Sequence, residues 1–133
     1  MEMLIRTPFQ SAISWFEIPV TDMARAKKFY ETILSITMMD LDIGNGLKMA
    51  LFPTEPDGIG GALAQHKDFY FPGQQGALVY LNANPGIQPI LDRVEATGGK
   101  VLVPKTQISE ENGYMAVFQD SEGNRVALHS VRG

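Results

Sequence analysis

The sequence predicts an α+β fold in which two βαβββ modules form a curled, mixed eight-stranded sheet around a cavity, with the helices on the outside. Two observations favour this fold. Apolar residues recur at every second position in several short runs, which is typical of strands, and at helical spacing in two longer runs. The order strand, helix, strand, strand, strand also occurs twice, starting near Trp15 and again near Leu78.

Module one, about residues 11 to 65, opens with a strand at residues 12 to 20 and continues into the helical segment TDMARAKKFYETIL. Thr21 or Asp22 can cap this helix, because the side-chain oxygen of either residue can accept a hydrogen bond from the first turn. Three strand-like runs follow, SITMMDLDI, GLKMALFP and IGGALAQ, separated by the turn GNG and the breaker run PTEPDG.

A connector without sustained periodicity, about residues 66 to 75, leads into module two, about residues 76 to 131. The strand ALVYLNA precedes the helix GIQPILDRVEATGG, which glycines close. The next strand, KVLVPKTQI, is interrupted by Pro104, and the last two, YMAVFQD and RVALHS, flank the turn DSEGN. We therefore expect residues 1 to 133 to form one domain of two similar modules.

Composition argues against several classes of function. The 133 residues carry a net charge of −4 and no block of Lys and Arg, which disfavours nucleic-acid binding. No apolar run is long enough to cross a bilayer, and the N-terminus lacks the features of a secretory signal. The absence of Cys is typical of a cytoplasmic protein. The expected partner is therefore a small molecule rather than a nucleic acid or a membrane.

Alternation along three strands separates an apolar face from a mixed one. The apolar face of each strand is expected to pack under a helix. The mixed faces carry Glu17 in the first strand, Tyr80 and Asn82 in the strand that opens module two, and His129 in the last strand. In a curled sheet these faces line a common cavity, so these four side chains are its predicted polar groups.

Glu17 and His129 are the candidate catalytic residues. A carboxylate beside an imidazole can act as an acid–base pair that moves a proton next to a carbonyl group. The same pair could instead supply two ligands to a displaced divalent metal ion. In a third, purely structural interpretation, Glu17 hydrogen-bonds Trp15, Tyr80 or His129 within a buried network. The sequence leaves all three open.

Aromatic side chains are the candidate walls of the cavity. Trp15, Tyr80, Tyr114 and Phe118, together with Asn82, would form an apolar pocket with a few fixed polar groups, the usual composition of a small-molecule site. For Tyr114 and Phe118 the alternative is plain core packing. We therefore expect ligand binding to depend most on Trp15 and Tyr80.

The segments WFEIPVTDMARAKKFYETIL, RVEATGGKVLVPKT and GYMAVFQDSEGNRVALHS resemble the vicinal oxygen chelate superfamily, which includes glyoxalase I, extradiol dioxygenases and bleomycin-resistance proteins. The resemblance extends from about residue 12 to 131 and is greatest to small single-domain glyoxalase-like members. It implies the doubled βαβββ fold and a homodimer with cavities at or beside the interface. Exposure of Phe69, Tyr70 and Phe71 would be costly, so these connector side chains should pack at the cavity mouth or on a second subunit.

The resemblance also predicts that the family's usual metal site is absent. In metal-using members, ligands stand at positions that correspond here to Trp15, Ala62, Leu78 and Ala127. None of these side chains can bind a divalent cation, and the chain holds only two His. We therefore predict no cofactor, with one divalent metal ion held by Glu17 and His129 as the alternative.

Two functions remain. The first is a metal-independent binding protein of the bleomycin-resistance kind, with a cavity walled by Trp15 and Tyr80. The second is a lyase, isomerase or dioxygenase-type enzyme that uses Glu17 and His129. The four positions without ligand atoms favour the binding protein, so the prediction is a glyoxalase-like domain that binds a small organic molecule, with catalysis left open.

Overall fold

The computed structural model describes residue 5 and residues 7 to 133. The remaining positions, 1 to 4 and 6, belong to the predicted N-terminal leader and lie outside the described residues. Module one comprises β1 (Trp15–Pro19), α1 (Met23–Leu34), β2 (Met39–Gly44), β3 (Leu47–Leu51) and β4 (Gly60–Gln65). Module two comprises β5 (Tyr80–Asn82), α2 (Gln88–Val94) with a 3-10 turn (Glu95–Thr97), β6 (Lys100–Ser109), β7 (Gly113–Gln119) and β8 (Arg125–Ser130).

Each module forms its own four-stranded mixed sheet. The strand orders are β1-β4-β3-β2 and β5-β8-β7-β6, so the first strand of a module pairs in parallel with its last, and the other pairs are antiparallel. The predicted α+β fold of two βαβββ modules is confirmed, with the eight strands divided equally between two sheets. In consequence β1 and β5 are both edge strands.

The two faces of the strands are as predicted. Ile18 of β1 and Val20, the residue directly after the strand, are buried, whereas Trp15 is 46% exposed. In β6 the predicted interruption at Pro104 is a register shift between Val103 and Thr106, because proline has no N–H to donate to the ladder. Within the described part of the chain, neither helix has the length and apolar character needed to cross a bilayer.

Helix α1 begins where its first turn finds an acceptor. Asp22, one of the two predicted caps, accepts a hydrogen bond from the backbone N–H of Arg25 at 3.1 Å, and the helix ends at Ser35 in the left-handed conformation. One side of the helix carries the buried residues Ala26, Phe29, Tyr30 and Ile33. Helical spacing of these apolar residues thus fixes the face that meets the sheets.

Both modules contribute to one hydrophobic core. Phe29 and Tyr30 of α1 contact Phe118 of β7, with ring centroids 5.9 and 6.4 Å apart, and all three side chains are fully buried. Burial of a side chain of this size stabilises a fold by about 1.5 to 3 kcal/mol. The helix of module one is therefore stabilised by a strand of module two.

A buried polar network also joins the modules. The hydroxyl of Tyr30 donates to Asp120 at 2.7 Å, and the amide of Asn124 donates both to Asp120 at 3.0 Å and to the carbonyl oxygen of Pro19 at 2.7 Å. Burial, and then the neighbouring Asp120, raise the pKa of Tyr30 well above its ordinary value. The phenol is thus held as a neutral donor.

Glu122, in the β7–β8 turn, meets the N-terminus of α1. Its carboxylate accepts hydrogen bonds from the backbone N–H groups of Thr21 and Asp22, both at 2.9 Å, and from the Arg25 guanidinium at 2.6 Å. Burial alone would raise the pKa of Glu122, but these donors outweigh it and lower the pKa to about 2. An anion at a helix N-terminus is also favoured by the helix dipole.

Candidate functional site

A cavity of about 690 Å³ lies between the two edge strands β1 and β5; we call it the inter-module cavity. It is lined by the neighbouring residues Trp15 and Phe16 of β1, and by Tyr80 and Leu81 of β5. Consecutive residues of a strand point to opposite faces, so the cavity extends around the edge of each strand rather than over one face. Its volume is within the usual range for small-molecule sites.

Trp15 is the principal aromatic wall from module one. Its indole N–H donates to the Glu17 carboxylate at 3.1 Å, which fixes the ring. The ring lies over Gly60, its partner in the β1–β4 register, where an added Cβ would be 3.2 Å from the indole Cζ3. The glycine therefore lets the indole approach β4 closely.

Phe16 is positioned by the next glycine of β4. A Cβ added at Gly61 would be 2.2 Å from the Phe16 ring, so only glycine fits there. The ring of Phe16 also contacts that of Phe52, with centroids 5.4 Å apart. The pair Gly60 and Gly61 thus accommodates two aromatic rings on opposite faces of β1.

Module two supplies the aromatic Tyr80 and most of the polar groups of the cavity. Tyr80 is 49% exposed. Asn82 and Asn84, which follow it in the chain, also line the cavity. The side-chain oxygen of Asn82 accepts from the N–H of Asn84 at 2.9 Å, and that of Asn84 accepts from the N–H of Val131 at 2.8 Å. Three of the sequence-predicted site residues, Trp15, Tyr80 and Asn82, are therefore brought together.

Glu17 lies beside a second, smaller cavity of about 100 Å³, which Arg125 and Asn124 also line. One carboxylate oxygen accepts from the hydroxyl of Tyr70 at 2.6 Å and the other from Trp15. The hydrogen bond to Glu17, followed by desolvation, raises the pKa of Tyr70. Glu17 therefore ties the connector to β1, and it is not among the residues that line the inter-module cavity.

His129 has different partners from Glu17. Its Nε2 lies 2.7 Å from the carbonyl oxygen of Asn112, and in the register it stands opposite Asn82 on one side and Met115 on the other. It lines neither of the two cavities described above. Each member of the candidate acid–base pair thus has its own hydrogen-bond partners.

Two candidate ligand residues belong to the core side of β7. Phe118 is fully buried against Phe29 and Tyr30, and Tyr114, on the same face of the strand, packs against the core with Lys105 above its ring. Neither lines the inter-module cavity. Alternation along β7 explains this placement, because its other face carries Met115 and Val117.

Several lining residues are not among the sequence-based candidates. These side chains are Phe16, Leu34, Ile36, Phe52, Leu81 and Ile90. Each lies at a position with the apolar periodicity of a core residue, and that is how the sequence pattern assigns it. The signal that could have identified some of them is the adjacent pair Gly60 and Gly61, because paired glycines within a strand indicate close approach of bulky neighbours.

The positions that correspond to the family's metal ligands do not fit a metal ion. Trp15, Ala62, Leu78 and Ala127 offer indole and hydrocarbon groups, and Ala62 and Ala127 are fully buried. Across residue 5 and residues 7 to 133, no group of three or more His, Cys, Asp and Glu side chains lies close enough to hold a metal.

The chain matches the sequence model of the family described as the Glyoxalase/Bleomycin resistance protein/Dioxygenase superfamily over residues 12–128. A search of curated proteins gave no match. Solved structures of the same fold include TnmS3, an antibiotic binding protein from Streptomyces sp. CB03234, at 22% identity and a TM-score of 0.64, covering 97% of this chain and 98% of that chain.

Two further structures are similar at comparable identity. A glyoxalase/bleomycin resistance protein from Albidiferax ferrireducens T118 is 18% identical, with a TM-score of 0.63 and coverage of 90% of this chain and 98% of that chain. Glyoxalase I from Zea mays is 21% identical, with a TM-score of 0.67, covering 89% of this chain but 45% of that chain. The present chain thus spans about half the length of the maize protein. At such identities the likeness shows the fold alone.

Proposed function

Because the chain belongs to the glyoxalase/bleomycin resistance protein/dioxygenase superfamily, we propose that it binds a small organic molecule in the inter-module cavity and does so without a metal ion. The observation that carries this proposal is the cavity itself, about 690 Å³ in volume and walled by Trp15, Phe16 and Tyr80. Apolar walls with a few fixed polar groups are the usual composition of a ligand site. The fold of TnmS3, described as an antibiotic binding protein, is compatible with this role.

A ligand screen tests the proposal. Trp15 is the only Trp of the chain, so its indole N–H gives a single side-chain resonance in a proton–nitrogen correlation spectrum. We expect binders from a library of small organic molecules to shift this resonance together with the backbone signals of Tyr80 and Asn82. Binders that shift only signals remote from β1 and β5 would contradict the proposal.

Metal independence has its own test. The side chains at Trp15, Ala62, Leu78 and Ala127 support it, since none can donate an electron pair to a divalent cation as His or a carboxylate does. Elemental analysis of the protein purified without added ions is expected to find no stoichiometric divalent metal. One equivalent of tightly bound metal that disappears in Glu17→Gln would overturn this part of the proposal.

The enzyme with Glu17 and His129 as acid and base is the weaker candidate. Both Glu17 oxygens already accept hydrogen bonds from Tyr70 and Trp15, and His129 donates to Asn112. This pattern favours a structural role for the carboxylate. Turnover of a ligand found in the screen, lost in both Glu17→Gln and His129→Gln while the ligand still binds, would instead favour the enzyme.

We also propose that the protein is a homodimer. Support comes from apolar side chains that stay exposed in one chain: Phe69 and Phe71 of the connector are 74% and 70% exposed. On the edge strand β2, Met39, Leu41 and Ile43 are also exposed. Asp40, which lies between two of them, points to the other face of the strand and forms an ion pair with Lys27 of α1 at 2.8 Å. Exposed apolar groups of this kind mark interaction surfaces.

A further inference from the structure

We infer that the ligand of the inter-module cavity is an uncharged, mainly apolar molecule that carries a hydrogen-bond acceptor, such as a ketone or quinone oxygen, at the end near Asn82 and Asn84. This inference rests on the proposed function and specifies its ligand. It separates one class of small molecule from the phosphates, carboxylates and amines that make up much of metabolism.

The walls of the inter-module cavity disfavour a charged ligand. Among the described residues that line the cavity, every side chain is uncharged, and the polar ones are Thr54, Tyr80, Asn82, Asn84 and the Trp15 indole. Transfer of an ion from water to the apolar walls of the cavity is unfavourable unless a counter-charge meets it. A neutral ligand avoids this penalty.

Glu17 is a charged group bonded to one wall of the cavity. Glu17 is adjacent through the indole of Trp15, but its two oxygens accept hydrogen bonds from Trp15 and Tyr70 and face the smaller cavity. Glu17 does not line the inter-module cavity, so a cationic ligand held there would not meet the carboxylate. The same contact occupies the indole N–H, so Trp15 offers the ligand its ring rather than a donor.

Asn82 and Asn84 specify the polar end of the ligand. The carboxamide oxygens of Asn82 and Asn84 accept backbone N–H groups at 2.9 and 2.8 Å, which orients each amide. The amide NH₂ groups donate to no partner among the described residues. Two neutral donors at one end of an apolar cavity match a neutral acceptor oxygen.

A matched series of probes tests the inference. Phenylhexanone, phenylhexanoate and phenylhexylammonium share one skeleton and differ in the charge of the terminal group. Equilibrium dialysis at neutral pH, with the Trp15 indole resonance as the reporter of location, is expected to give an affinity for the ketone about tenfold or more above that for either ion.

The outcomes separate the inference from the proposed function. If the carboxylate or the ammonium shifts the Trp15 resonance and binds as tightly as the ketone, the inference is overturned and the proposed function stands. If none of the three shifts this resonance, the cavity does not bind apolar molecules and both fall.

A charge placed in the cavity provides the complementary test. Asn82→Asp keeps the oxygen that accepts the Asn84 N–H and replaces the free amide with an anionic oxygen. We expect the affinity for phenylhexanone to fall about tenfold and that for phenylhexylammonium to rise. Unchanged backbone resonances away from β5 would establish that the variant is folded. An unaltered preference for the ketone in this folded variant would contradict the role assigned to Asn82.

Discussion

Trp15 both lines the inter-module cavity and donates a hydrogen bond to Glu17. Its ring lines the cavity, its N–H is bound by Glu17, and 46% of its surface is exposed to solvent. Because the ring lies outside the core, its removal should affect binding more than folding. Substitutions at this position therefore separate the two properties.

Trp15→Ala is expected to weaken the binding of any ligand found in the cavity by about 1 to 3 kcal/mol, since a large aromatic contact is lost. Trp15→Phe keeps an aromatic wall and should lose less. Dissociation constants from isothermal titration calorimetry measure both. Equal affinities for the Ala variant and the unmodified protein would place the ligand elsewhere.

One hydrogen-bond partner of Glu17, Trp15, could be predicted from the sequence, whereas the other, Tyr70, could not. Period-two alternation correctly places the carboxylate on the face of β1 away from Ile18 and Val20, and Trp15 is among the partners that the sequence suggests. Tyr70 is not, because it lies 53 residues away in a connector without periodicity. A contact between an irregular segment and a strand leaves no pattern in the sequence.

At the scale of elements, Gly60 and Gly61 of β4 determine how closely the aromatic rings of β1 can approach β4. The two glycines differ in clearance: an added Cβ would be 3.2 Å from Trp15 at the first and 2.2 Å from Phe16 at the second. A Cβ at Gly60 is accommodated if the Trp15 ring shifts slightly. A Cβ at Gly61 overlaps the Phe16 ring, so Phe16 or the backbone of β1 has to move. They form a natural matched pair.

Gly61→Ala is expected to lower the free energy of unfolding by about 1 to 3 kcal/mol, the usual cost of overpacking. Gly60→Ala should cost clearly less, since the tip of an exposed ring can yield. Urea unfolding followed by far-ultraviolet circular dichroism gives both values. A loss at Gly60 as large as that at Gly61 would contradict the packing described for Phe16.

The order of the elements could be predicted from the sequence, whereas the position of the cavity could not. Helical and strand periods, the Asp22 cap and the interruption at Pro104 are all local signals. The gap between β1 and β5 depends on how two sheets stand relative to each other, so Leu34 and Ile90 had no signal beyond that of core residues. Phe118 was a candidate wall because the facing of β7 depends on its register with β8.

The start of α1 should be sensitive to acid through Glu122. The folded-state pKa of about 2 is below the ordinary value of 4.5, so the carboxylate stabilises the fold at pH values above the ordinary pKa. This contribution is lost as the pH falls from about 4.5 to about 2. The direction follows because the unfolded chain takes up the proton first.

Glu122→Gln should therefore lower the free energy of unfolding at neutral pH by about 1.5 to 3 kcal/mol, the range for hydrogen bonds to charged groups. The difference from the unmodified protein should shrink as the pH approaches 2, which denaturant unfolding at a series of pH values measures. Glu111→Gln, on an exposed turn, is the control. A pH-independent difference would mean that the charge of Glu122 is not what stabilises the helix.

At the scale of the whole molecule, the exposed apolar residues of β2 and the connector bear on the proposed homodimer. If this surface lies in the interface, Leu41→Lys should lower the apparent mass in sedimentation velocity toward that of one chain, because a buried unpaired charge is unfavourable. Ala96→Lys adds the same side chain at an exposed position of the 3-10 turn in module two, away from β2, and should leave the mass unchanged. An unmodified protein that sediments as a single chain at every concentration would exclude the homodimer.

The contact of Glu122 with the N-terminus of α1 has a consequence for synthesis on the ribosome. Thr21 leaves the exit tunnel 101 residues before the carboxylate that binds it, and Phe29 and Tyr30 emerge well before Phe118 covers them. Until β7 has been synthesised, the part of α1 that Phe118 covers has no partner from module two, and only contacts within module one, such as that of Tyr30 with Phe52, are available to it.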